Sequence, residues 1–158
     1  MCRFKRKAPP DACSSNGQSP EIGMSRLEPF EGSGVRAAIA YLDDGTELKA
    51  IGFAIGLDPA LDAATLIYDR QSEYTGPEAC QPQLPVGDPD DLRNTECVGA
   101  WVVAPDGTAT LEAANVFDEV GGGRIHVPLD KIGTTSVRQT DGDACLRPRP
   151  RLACGRVK

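Results

Sequence analysis

The chain has 158 residues, 40% hydrophobic and 25% charged, with a formal net charge of −6, and that length suits one domain with its own core. The acidic balance and an aromatic content of 5% argue against a nucleic-acid binder, which needs a basic stripe against phosphate and rings to stack on bases. No apolar run approaches a membrane span, and 17 Gly with 13 Pro favour turns and short strands over long helices.

Residues 1–23 read as a separate, poorly ordered arm. Pro9, Pro10, Ser14, Ser15, Asn16, Gly17, Ser19 and Pro20 punctuate it too often for a regular element. The barrel domain is expected over 24–158. A strand is expected at 35–42, then a turn at Asp43, Asp44 and Gly45, then a strand at 47–57 with period two. Ile51, Phe53, Ile55 and Leu57 share one face of it, and Ala50, Gly52, Ala54 and Gly56 the other. Alternation across an Asp-Gly turn signals a hairpin, because Gly accepts the positive φ of a tight turn. The small-residue face predicts close packing against another element.

Residues 70–97 form a long polar connection with Pro77, Pro82, Pro85 and Pro89, a length that compact domains keep only when it is pinned or functional. A second hairpin is expected from 98–103 and 108–113 around Pro105, Asp106 and Gly107. Leu111, Ala114 and Phe117 also carry a helical spacing over 111–120, which periodicity alone does not exclude. Further short strands are expected at 124–128, 132–138 and 151–157. Roughly eight strands with such connections predict an all-β, Greek-key antiparallel β-barrel or sandwich.

Six cysteines without a Cys-x-x-Cys pair read as disulfides rather than zinc ligands, and so as an oxidising compartment: secreted, periplasmic or cell-envelope. Met1 is followed by polar and basic residues, not an apolar h-region. A targeting segment, with a lipoprotein anchor as one candidate, is therefore expected outside this chain. The basic residues near the ends (Arg3, Lys5, Arg6 and Lys7; Arg147, Arg149, Arg151, Arg156 and Lys158) read as solvated termini.

Arg151-Leu152-Ala153-Cys154-Gly155 resembles the closing strand of the copper/zinc superoxide dismutases. The stretch 131–138, Val98-Gly99 with Asp106-Gly107-Thr108-Ala109, and Gly56-Leu57-Asp58-Pro59 resemble further segments of that family in the same order. Extended through 35–57 to a possible first strand at 27–30, the resemblance covers about residues 24–157. It implies a disulfide-braced Greek-key barrel with a bridge between Cys80 and Cys154, worth about 4 kcal/mol on the chain-entropy model and able to pin the 70–97 connection. Cys97 with Cys145, and Cys2 with Cys13, is the preferred completion; the two other pairings of those four stay open. Arg151 matches the arginine that guides anions to copper in the family and also bonds carbonyls of the disulfide loop, so a structural role is expected of it here.

The family's redox chemistry needs copper held mainly by imidazoles, which carboxylates do not replace. This chain has one histidine, His126. By the resemblance, Thr65 and Ile67 stand at the His-x-His ligand positions, Cys97 at a zinc-loop histidine, Ala100 at the zinc aspartate, and Arg138 or Gln139 near the late copper histidine. No cofactor and no dismutase activity are expected, with Ile67 and Tyr68 as candidates to fill the cleft. His126 reads as a strand or surface residue. Asp88, Asp90 and Asp91, like Asp141 and Asp143 beside Gly142, lack the full spacing of a calcium loop. Gly121, Gly122 and Gly123 precede a strand rather than the helix N-terminus that a phosphate cradle needs, and no Gly-x-Ser-x-Gly elbow offers a nucleophile to His126.

The expected function is a non-catalytic module with a structural or protein-interaction role and an unidentified protein partner. One rival is a metal-binding protein or enzyme on non-histidine ligands, such as free Cys97 with Asp69 or Glu73. Another is a subunit that pairs with an active dismutase.

Overall fold

A computed structural model describes residues 19–30, 32–69, 95–113, 117–120, 123–142 and 151–158. Its strands are β1 (Glu21–Pro29), β2 (Arg36–Asp43), β3 (Leu48–Ile55), β4 (Asp62–Asp69), β5 (Thr95–Val103), β6 (Ala109–Ala113), β7 (Phe117–Val120), β8 (Gly123–His126), β9 (Ile132–Thr140) and β10 (Ala153–Arg156). Eight of them close into an antiparallel barrel in the order β1-β10-β9-β4-β5-β6-β3-β2, and β7 pairs with β8 in a separate two-stranded sheet.

Period two sends alternate side chains inward. Leu27 of β1, Ile39 and Tyr41 of β2, Leu48 of β3, Trp101 of β5, Leu111 of β6 and Val137 of β9 meet in one core. The β2–β3 and β5–β6 hairpins form where the Asp-Gly turns place them: Gly45 has φ +88° and Gly107 φ +81°. Asp44 Oδ1 accepts the backbone N–H groups of Thr46 and Glu47, and Asp106 Oδ1 accepts the backbone N–H and the hydroxyl O–H of Thr108. The small face of β3 packs closely, as expected, and it is the face that turns inward. Ala50 and Ala54 are core residues, and a Cβ on Gly52 would lie 2.8 Å from the Trp101 ring.

Several boundaries differ from the sequence reading. β1 starts at Glu21, paired with Asp43, so Glu21–Gly23 belong to the barrel rather than to the arm; residues 1–18 lie outside the described residues. β5 starts at Thr95, which makes 95–97 strand rather than connection. The helical alternative at 111–120 gives way to β6 and β7, because β6 hydrogen-bonds to both β3 and β5 and that pairing overrides a weak 3.6-residue spacing.

Two bulges shape the wall around β4. Thr65 pairs with Gly99 but Leu66 with Cys97, leaving Val98 as the extra residue, and Tyr68 pairs with Thr134 but Asp69 with Ile132. An extra residue resets the alternation. Beyond Gly133, Thr135 and Val137 face inward, and Tyr41 shares a 2.8 Å hydroxyl–hydroxyl hydrogen bond with Thr135. Thr134, Ser136 and Arg138 face outward, yet each is 0% exposed.

Candidate functional site

The positions that resemble metal ligands meet at β4 and β5. Ala63, Thr65 and Ile67 point into the barrel, while Ala64 and Leu66 point outward and pack with Cys97. Thr65 is fully buried, and its Oγ1 accepts a 2.7 Å hydrogen bond from the Trp101 indole N–H. Ile67 is 3% exposed within the core. Ala100 lies exposed on the outer face of β5. The Tyr68 backbone pairs with Thr134.

A copper or zinc ion does not fit these residues. The one oxygen among them accepts an indole proton, two side chains are hydrocarbon, and Cys97 is disulfide-bonded. That last point corrects the rival built on a free Cys97 thiolate. Among the described residues no group of three or more His, Cys, Asp and Glu is placed to hold a metal. Glu73, Asp88, Asp90, Asp91, Asp143, Gly121 and Gly122 lie outside the described residues, as do Cys2, Cys13, Cys80 and Cys145.

Register constrains the cysteines further. Cys154 of β10 pairs with Ser136 of β9, Ser136 with Leu66 of β4, and Leu66 with Cys97 of β5. One transverse row thus carries both cysteines, three strand spacings or ~14 Å apart along the sheet. A disulfide needs its Cα atoms within about 7 Å. Cys97 and Cys154, both disulfide-bonded, therefore belong to two different bridges.

Arg151 is buried, with its guanidinium carbon 5.8 Å from the centroid of the Phe30 ring, within cation–π range. It sits beside the β1–β10 seam, where Phe30 N–H donates to the Leu152 carbonyl at 2.9 Å.

Sequence reasoning missed the environment of His126. Its Nε2 lies 2.8 Å from Asp43 Oδ1, which also accepts the Gly45 N–H, while Asp43 Oδ2 accepts the Leu129 N–H at 2.8 Å. Asp43 is 7% exposed and so ties the β2–β3 turn to β8 and to the 3-10 turn Leu129–Lys131. Glu21, Asp44 and Asp130 line the adjoining depression. The pair spans 83 residues of sequence, and Asp43 reads locally as a turn residue.

Among the described residues, the large exposed apolar side chains gather on the other half of the barrel. Ile22 and Met24 of β1, Ile51, Phe53 and Ile55 of β3, and Val102 of β5 are all 43% or more exposed. The register joins them: Met24–Ala40–Ile51 form one row, and Ala38–Phe53–Thr110–Val102 the next. Contiguous apolar surface of this kind marks an interaction site more often than scattered residues do.

No known family model matches the chain, and no curated protein matches it.

Proposed function

We propose that this chain is a non-catalytic module that keeps a superoxide dismutase-like barrel as a scaffold for binding protein. The apolar stripe across β1, β2, β3 and β5 carries the reading, because six large apolar side chains stay in solvent although the barrel has a filled core. The packing of Thr65 and Ile67 as core residues supports the absence of dismutase chemistry. A Greek-key path is supported by β3 lying beside β6 while leading into β4. The pairings Cys80–Cys154 and Cys97–Cys145 agree with two separate bridges on one row, and oxidised cysteines at both positions favour a secreted, periplasmic or envelope location.

The test is direct. The purified, oxidised chain, incubated with copper and zinc and then desalted, is expected to retain no stoichiometric metal and to leave superoxide decay at the buffer rate. Stoichiometric copper together with accelerated dismutation would overturn the proposal.

A further inference from the structure

We draw no further inference here: the strongest candidate, the acidic depression where Glu21, Asp44 and Asp130 surround the His126–Asp43 pair, is a cluster of carboxylates whose buried member, Asp43, is already engaged by Gly45, Leu129 and His126, and nothing in the structure points to a ligand there.

Discussion

On β1 and β3 the residues that point away from the core include Ile22, Met24, Ile51, Phe53 and Ile55, large, apolar and open to solvent, beside the charged Arg26, Glu28 and Lys49. On β9 and β4 the outward residues are Thr134, Ser136, Arg138, Ala64 and Leu66, three of them polar and all of them buried. One barrel thus carries an open outer face rich in large apolar side chains and a covered outer face that holds buried polar ones. Burying apolar groups and exposing polar ones is a tendency of whole proteins, not of each strand. A departure concentrated on one face therefore marks a surface shaped by something other than the fold. The exposed face is free to serve an interaction, while the covered face is bound into the stability of the domain.

The sharpest way to break this comparison is to cut one outward side chain from each face. Leu66→Ala on β4 removes a 1% exposed side chain and is expected to cost about 3 kcal/mol. Phe53→Ala on β3 removes a larger one that is 53% exposed and should change stability by about 0.5 kcal/mol or less. Urea denaturation compares the two. Equal losses would mean that the faces are not energetically distinct.

A smaller effect probes the inward side of the covered half. Thr65→Val keeps the shape but deprives the Trp101 indole N–H of its acceptor, an expected loss of about 1–3 kcal/mol, with a shift in tryptophan fluorescence as the local reporter. No change in either would deny Thr65 its packing role and reopen the position to other uses.

A further effect comes from pH, through the bond that joins the halves across the core. Burial pushes the Tyr41 hydroxyl well above the ordinary phenol range, with the Thr135 hydrogen bond opposing in part. The folded protein then resists ionisation that the unfolded chain allows. Its stability is therefore intact below pH ~10 and falls as pH rises beyond it, by up to about 1.4 kcal/mol per unit. Alkaline melts of the wild type against Tyr41→Phe are expected to converge as pH rises. On the acid side, turn hydrogen bonds hold Asp44 and Asp106 below the usual carboxylate range. Stability contributed there is present above that range and fades as pH falls through it, only slightly, because both carboxylates are exposed and screened by solvent.

The hairpins were legible in the sequence because their two signals coincide: alternation, and an Asp-Gly turn that admits positive φ. The close packing of the small face of β3 was legible from Ala50, Gly52 and Ala54, and a Cβ on Gly52 would meet Trp101; that this face, and not the one with Ile51, Phe53 and Ile55, turns inward was not. The start of β1 was not, because Ile22 and Met24 alternate with their apolar side chains outward, the opposite of a half-buried strand. Nor was β5 at 95–97, where polar residues lie in a strand. The pairing of His126 with Asp43 was beyond local pattern, since barrel closure alone brings them together. Ligand positions named by resemblance, Thr65 and Ile67, were located along the chain; simple alternation puts them on one face with Ala63, but local pattern does not say that this face is the inward one.

The seam at β10 has a kinetic consequence. β10 enters between β1 and β9: Glu28 pairs with Cys154 and Pro29 with Ala153, Ser25 bridges to Val157, and Met24 and Lys158 exchange backbone hydrogen bonds of 2.8 and 2.9 Å. The fit is close, since a Cβ on Gly155 would lie 2.1 Å from the Arg26 carbonyl oxygen. These partners lie far apart in sequence, so closure carries a large entropic cost and comes late in folding. Until it happens, β1 and β9 are unpaired edges, each a template on which another unfinished chain can add a strand. The finished barrel has no such edge, and the hazard belongs to the interval before its last strand arrives.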